Sequence, residues 1–551
     1  MRVNEKIHAN VKTIIFALAS VLPIHTAHAI DFQTDNPDLR ITWNNTFKYS
    51  TAYRMKDADP ALTTSSFNPS ANDMFTFNQN DGDLNFKKKG LISSRLDWLS
   101  ESDIGTRNYG ARVSGAYWYD LVYNRGNHND GSVLDSSAVL SGRPSNEFNP
   151  DTRDQHGKQG EILDAFVYAK GGDEHPGTIR AGRHTLVYGE TLFMGANGIA
   201  YAQGPTDLVK LLAVPGTPFK EILLPVNQIS GTVQVSSNVS VGAYYQLEWR
   251  PTRIPGVGSY NSDFNGAGVG IDGILLGGPV AIGIDDLKPK DSGQGGIQVK
   301  FTPENSGVEY GFYAAQYNDK GPQLYVDLAS GTWQQQYAEG IKTYGASASG
   351  VLLGANVALE VSERRNTPLV NDPVFAFIPA DNSNPLFGIG NTAHANLSAL
   401  YVMPTNSLFD GGVWLAELGW NRALSCTLNC SNVDPNTTRD ATSMRAIFAP
   451  DYYQVMDGLD ISIPVGLGYG LSGRSRAVFK FNGGVEHGGD LSIGVNGTYQ
   501  QVWKGGVNYV HYLGSATPFL IPDPATGNPM LSYGQSLADR DNISLYIKRS
   551  F

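Results

Sequence analysis

Leu39-Arg-Ile-Thr-Trp-Asn-Asn-Thr-Phe-Lys-Tyr-Ser-Thr-Ala-Tyr-Arg-Met55 decides the fold. Its odd positions read Leu, Ile, Trp, Asn, Phe, Tyr, Thr, Tyr, Met, and its even positions Arg, Thr, Asn, Thr, Lys, Ser, Ala, Arg. A period of two over such a length describes a strand with one apolar and one polar face, well beyond the ~5–6 residues usual in soluble sheets. Val239–Trp249 repeats the pattern, with Val239, Val241, Ala243, Tyr245, Leu247 and Trp249 set against Ser240, Gly242, Tyr244, Gln246 and Glu248. Tyr109–Val122, Val308–Tyr317 and the final segment, where Ile543, Leu545, Ile547 and Phe551 share a face, follow suit. Strands of ~9–11 residues with one lipid face and one lumen face cross a bilayer, and there only a closed barrel satisfies every backbone group.

The links between these strands alternate in length. Short ones fall near 103–108, 171–177, 236–238, 303–307, 352–355, 403–410, 450–458 and 501–504. Long ones fall near 56–89, 123–160, 189–227, 250–292, 318–340, 366–391, 423–441, 470–489 and 514–539. Short periplasmic turns, long outer loops and an even strand count are the plan of bacterial outer-membrane barrels. The expectation is an all-β antiparallel barrel of about 18 strands (16–20, since 477–487 leaves room for one more hairpin). Phe551 ends the chain as an aromatic terminus that barrel assembly machinery reads; Arg549 breaks the apolar face of that strand.

Residues 1–29 read as a cleavable signal peptide. Arg2, Lys6 and Lys12 precede an apolar run, Thr13–Ile24, too short to span a bilayer, and Ala27-His28-Ala29 has the small-x-small form of a cleavage site. Residues 30–551 are then one barrel domain exported to the outer membrane of a Gram-negative cell, in contact with its lipid. Removing the leader, three basic residues and one acidic, takes the net charge of −11 to −13. That balance excludes a nucleic-acid protein held by a basic surface. With only two cysteines, Cys426 and Cys430, neither a disulfide framework nor a cysteine-rich zinc site is available. Placed in one outer loop of an oxidising compartment, the two are expected to form a small disulfide.

Patterning begins too soon after residue 29 for an N-terminal plug, so any plug must come from an internal loop. Two loops qualify. Residues 189–227 carry Asp207-Leu-Val-Lys-Leu-Leu and Lys220-Glu-Ile-Leu-Leu-Pro225, too apolar for a solvated outer loop; an inward fold makes Asp207, Lys220, Glu221, Leu223 and Leu224 a candidate gate. Residues 250–292, Gly-rich and apolar at Gly273-Ile-Leu-Leu-Gly-Gly-Pro279, are the second candidate.

Strand parity sends Arg40, Lys48, Arg54, Arg95, Asp97, Arg112 and Asp120 into the lumen, together with Arg180, His184, Glu248, Glu309, Glu360, Arg364 and Glu417. Both signs of charge suit a wet or salt-bridged interior. Arg180, Arg183, His184, Tyr188 and Glu190 form the densest polar cluster, although Arg183 falls on the lipid-facing parity, and Arg180, His184 and Glu190 are placed to orient a head group. No His-Glu-x-x-His, Gly-x-Ser-x-Gly or other metal-ligand or nucleophile spacing occurs, so no enzyme, metal or cofactor is expected.

Several stretches resemble a family of large proteobacterial outer-membrane proteins known mainly as a domain of unknown function. They are Asn36-Pro-Asp-Leu-Arg-Ile-Thr-Trp-Asn-Asn-Thr46, Asn80-Asp-Gly-Asp-Leu-Asn-Phe86, Ser94-Arg-Leu-Asp97, Leu163-Asp-Ala-Phe166, Arg180-Ala-Gly-Arg-His184, Tyr188-Gly-Glu190, Lys220-Glu221, Tyr245-Gln-Leu-Glu-Trp249 and Leu537-Ala-Asp-Arg-Asp541. The resemblance implies an outer-membrane barrel that works beside systems handling hydrophobic compounds, with a periplasmic carrier and an inner-membrane exporter of the resistance–nodulation–division type as partners. The leading expectation is passive, loop-gated transport or binding of a hydrophobic or amphipathic small molecule. The alternative is a porin-like channel for polar or ionic solutes.

Overall fold

A computed structural model describes residues 30–551 apart from Gln33, Pro69, Pro215 and Pro218, and leaves the side chains of Ile30, Phe219 and Lys220 undescribed. The signal-peptide expectation lies outside the described residues. Eighteen strands form the barrel wall. They are β1 Arg40–Arg54, β2 Gly90–Gly105, β3 Tyr109–Asp120, β4 Lys158–Gly171, β5 Gly177–His184, β6 Val226–Ser236, β7 Val239–Gln246, β8 Gln294–Phe301 and β9 Val308–Tyr317. Then follow β10 Ile341–Leu352, β11 Ala355–Pro368, β12 Ile389–Met403, β13 Gly411–Leu428, β14 Asp440–Met456, β15 in two pieces (Leu459–Ser462 and Val465–Ser472), β16 Gly489–Tyr499, β17 Trp503–Leu513 and β18 Asn542–Ser550.

Each strand pairs antiparallel with the next, and β1 pairs with β18 from Thr46 opposite Ser550 to Arg54 opposite Asn542. The sheet is therefore closed, leaving no wall strand with an open edge, which is the condition for spanning hydrocarbon. Phe551 completes the seam: it exchanges backbone hydrogen bonds with Asn45 at 2.7 and 2.9 Å and stacks on Phe47, which stacks on Trp98. Arg549, odd on an apolar face, lies over the Trp503 ring at 5.1 Å. The segment 477–487 adds no strand to the wall.

The outer face carries an apolar belt between two aromatic rows. Trp43, Tyr109, Tyr310, Trp414 and Tyr499 are exposed near the short turns, and Tyr53, Tyr119, Tyr245 and Tyr344 near the long loops. Amphipathic rings at both levels match the two bilayer interfaces. Among the described residues no helix is long and apolar enough to cross a membrane.

The long loops build a lid over one end. Five short strands from three loops form a second sheet in the order Val374–Ala376, Gln323–Asp327, Thr332–Gln336, Val280–Gly283, Gly273–Leu275. Its core, Phe264, Ile274, Val326 and Trp333, also buries Leu520 and Leu531. The second loop of interest, 250–292, thus joins this lid. An ionic knot ties the lid to the wall: Arg54 reaches Asp539 at 2.7 Å and Asp83 at 3.2 Å, while Arg540 reaches Asp83 at 2.7 Å, all four buried. Buried charges persist only when paired in this way.

Candidate functional site

The segment after β5 turns into the barrel and crosses its lumen. Two carboxylates on the far wall hold it. Glu360 on β11 accepts the backbone N–H of Glu190 at 2.6 Å and of Ile199 at 2.7 Å. Glu417 on β13 accepts those of Phe193 at 2.5 Å and Met194 at 2.9 Å. Arg364 donates to the Ala196 and Gly198 carbonyls, both at 2.8 Å. Asn197 is gripped by His394 and Asn421 on its side-chain carbonyl. Gly189, at φ +98°, sits where a Cβ would collide with the Glu360 carboxylate, so the Tyr188-Gly-Glu190 motif is a close-approach turn. Charge-assisted bonds to otherwise orphaned amides make this clamp strong.

The second half of the loop crosses back to the opposite wall. Asp207 caps the helix Leu208–Ala213 and pairs with Arg253 at 2.6 Å; Arg253 pairs with Glu161 on β4, as does Lys210. Beyond the helix, Thr217 lies 3.5 Å from the Lys48 ammonium, and the Gly216 carbonyl accepts from Lys548 at 3.3 Å. Glu221 lies close enough to act on Lys48. The loop therefore braces against β1, β4 and β18 as well as β11 and β13, and partly plugs the lumen.

Burial changes along the barrel axis. On β12, Thr392, His394, Asn396 and Ser398 are buried under the loops, and exposure begins at Leu400. On β5, His184 is buried and Arg180 exposed. The lumen is packed toward the long loops and wet toward the short turns, where Arg180, Lys170 and Lys504 meet solvent.

The individual lumen residues sort by partner. Arg95 pairs with Asp97 at 2.8 Å and lies over Trp118. Arg112 holds three carboxylates, Glu101 at 2.6 Å, Asp103 at 2.9 Å and Asp164 at 3.2 Å. The cluster of Arg180, His184 and Glu190 is not one site. Four strand residues span ~13 Å, so Arg180 and His184 stand at different depths. His184 donates from Nδ1 to the Gly182 carbonyl at 3.0 Å and takes the Ser230 hydroxyl on Nε2 at 2.7 Å, leaving no free ring nitrogen. Glu190 pairs with Lys300 at 3.3 Å. Arg180, stacked 5.8 Å over Phe166, has no carboxylate among the described residues.

Glu248 is a correction to strand parity. The strand ends at Gln246, and Glu248 instead pairs at 2.9 Å with Arg183, on the outer parity of β5, and accepts the Asn227 amide. Trp249 also leaves the wall, burying its ring against Tyr337 and donating to the Asp319 carbonyl. Of the gate residues, Leu224 is buried, while Leu223 is half-buried and its backbone bridges to Thr206. Leu211 and Leu212, absent from the sequence-derived set, are 53% and 45% exposed on the lumenal helix. Their signal was the run Leu208-Val-Lys-Leu-Leu212 itself, whose exposed face depends on where the loop docks. Cys426 and Cys430 are joined in a disulfide at the end of β13.

Comparison with known proteins adds little detail. Similar solved structures include Acinetobacter baumannii OccAB3 (9% identity, TM-score 0.40, covering 93% of this chain and 99% of that one). Pseudomonas aeruginosa OccD3 (OpdP) gives 9% identity and a TM-score of 0.40, covering 97% and 96%. The Salmonella typhi OmpF complex with daunomycin gives 9% and 0.36, covering 95% and 100%. No curated protein matches the chain. The model of one family matches residues 10–551, nearly the whole sequence, and the chain belongs to that family, described as "Protein of unknown function (DUF1302)".

Proposed function

We propose that this barrel is a passive outer-membrane conduit that takes hydrophobic or amphipathic small molecules past a lumenal loop. The observation that carries the reading is the pair Leu211 and Leu212, about half exposed on a helix that lies inside the barrel among polar and charged lumenal groups. Apolar surface left in water costs ~25 cal/mol per Å², and contact with an apolar solute recovers it. The clamped half of the loop, 190–199, fixes the constriction. The helix Leu208–Ala213 and the turn after it are the adjustable half, and gating belongs there. In this reading the chain is exported by its signal peptide and is no enzyme. A periplasmic carrier would meet the wet mouth, and an inner-membrane exporter would act through that carrier.

The wet, charged mouth supports a second reading, diffusion of polar or ionic solutes. Two measurements on the refolded full-length barrel separate them. The conduit reading expects little steady ionic conductance in a planar bilayer. It also expects saturable binding of hexan-1-ol in nanodiscs that Leu211→Asp with Leu212→Asp reduces about ten-fold. A large steady conductance, with hexan-1-ol binding unchanged by the double variant, would establish the polar channel instead.

A further inference from the structure

One sector of the lumen wall breaks the polar pattern of the rest. Ser398 on β12 and Glu417 on β13 stand opposite each other and hold the inward loop. Ser398 donates to the Glu190 carbonyl at 3.2 Å, and Glu417 accepts the Phe193 and Met194 amides. Side chains two positions further along a strand share its face and lie ~7 Å away. Toward the short turns the next lumenal row is therefore Leu400, Leu415 and Ile447, register partners across β12, β13 and β14. The row after it is Val402, Val413 and Ala449. At the same end of the barrel β4, β5 and β6 turn Lys170, Thr178 and Thr232 inward, again as register partners. Val402 is 64% exposed, and Leu400, Val413, Leu415 and Ile447 are half-buried, so water reaches both rows below the clamp. Lipid does not, because hydrocarbon meets the other parity of these strands, where Trp414, Leu418 and Phe448 are exposed. The three short turns bordering the sector carry exposed apolar side chains, Leu353, Leu408 and Met456. Arg107, Asp173, Ser237, Glu304 and Gln501 stand in the other five. An apolar surface thus runs from the rim into the lumen along one side only.

We infer that this stripe is a binding site for an apolar small molecule that carries no negative charge, and the surface from which that molecule moves on to Leu211 and Leu212. The inference rests on the conduit reading for the onward step only. A solute is the occupant because the stripe lies inside a closed wall, open only to what enters the mouth, and apolar surface held in water is stabilised by a contact that covers it. The charges around it exclude an anion. The next lumenal row down reaches Asp451, with Asp410 bonded beside it through the backbone at 2.9 Å. Above the stripe the one cation of its strands, Arg445, is already paired with Asp490.

The test uses the full barrel in nanodiscs, with heat-modifiable mobility reporting folding, titrated calorimetrically with hexan-1-ol and hexanoate against empty nanodiscs. Hexan-1-ol is expected to fill two sites. Leu400→Asn with Leu415→Asn, which keeps the shape of the row and removes its apolar surface, should weaken one of them about ten-fold; the other should answer to Leu211→Asp with Leu212→Asp. Hexanoate should bind the stripe about ten-fold more weakly than hexan-1-ol. A hexan-1-ol isotherm unchanged by the Leu400 and Leu415 double variant would overturn the stripe, whatever the loop variant does. Loss of a site in the stripe variant, with the loop variant silent, would keep the stripe and remove the conduit past the loop. Hexanoate binding as tight as that of hexan-1-ol, and lost in the stripe variant, would overturn the exclusion of anions. Should the double variant fail to fold, Val402→Asp alone, at the exposed end, carries the same comparison: an unchanged hexan-1-ol isotherm in it would overturn the site.

Discussion

The carboxylate of Glu360 accepts the backbone N–H of Ile199 at 2.7 Å across 161 residues of sequence. That one bond joins the middle of the inward loop to a wall strand six places round the barrel from the one the loop leaves. With the Glu190 amide on its other oxygen, Glu360 closes a small ring of structure in which Gly189 and Gly198 both leave room for the carboxylate.

The clamp can be released. Glu360→Ala with Glu417→Ala removes two carboxylates and the four charge-assisted hydrogen bonds they accept from loop amides, each worth about 1.5–3 kcal/mol. The barrel should still assemble, because its wall ladder is untouched, while planar-bilayer conductance rises several-fold and amides 190–199 lose hydrogen-exchange protection. Conductance equal to the native value would mean that the loop is held by its packing rather than by these carboxylates.

Gly189→Ala tests the same contact from the other side. A Cβ here meets the Glu360 carboxylate, and the backbone adopts a positive φ that a side chain resists. Docking of the loop should weaken by about 1–3 kcal/mol, read as faster exchange at Glu190 and Ile199.

In the lid, Asp81 predicts a pH dependence. Burial, and then the neighbouring Asp135, push its carboxyl up to about 8 from the ordinary 3.8. Between those values the unfolded lid has lost the proton that the folded lid keeps, so the stability of the lid falls as pH rises from about 4 to about 8 and then levels off. Limited proteolysis of the long loops should therefore be slower at pH 5 than at pH 9. Asp81→Asn, which keeps the hydrogen-bonding shape without the proton, should flatten that difference.

Deleting Phe551 removes two backbone hydrogen bonds with Asn45 and the stack on Phe47. The yield of heat-modifiable, folded barrel should drop several-fold in cells. Arg549→Tyr, which restores an apolar face beside Trp503, should raise it. Equal yields in all three chains would show that closure does not depend on this corner.

Strand parity made most of the wall legible. The alternating strands were readable because a period of two is a local property, imposed by hydrocarbon on one side and water or packed polar groups on the other. The same rule failed at Glu248, since it holds only while the ladder holds, and the ladder stops at Gln246. Nearness in sequence grouped Arg180, His184 and Glu190, which stand at different depths along a strand or lie in the loop beyond it.

By itself, then, the sequence determined the all-β class, the alternation of short and long links, and the apolar inner loop, all of which follow from composition and short-range periodicity. Tertiary structure alone decided which lumenal charges brace the loop, as Glu360, Arg364 and Glu417 do, and which pair with one another, as Arg112 does with Glu101, Asp103 and Asp164. It alone exposed Leu211 and Leu212 while burying Leu224, and set Thr46 of β1 opposite Ser550 of β18. The physical reason is that register across the seam and the docking of a loop depend on contacts between residues hundreds of positions apart, and no local pattern carries that information.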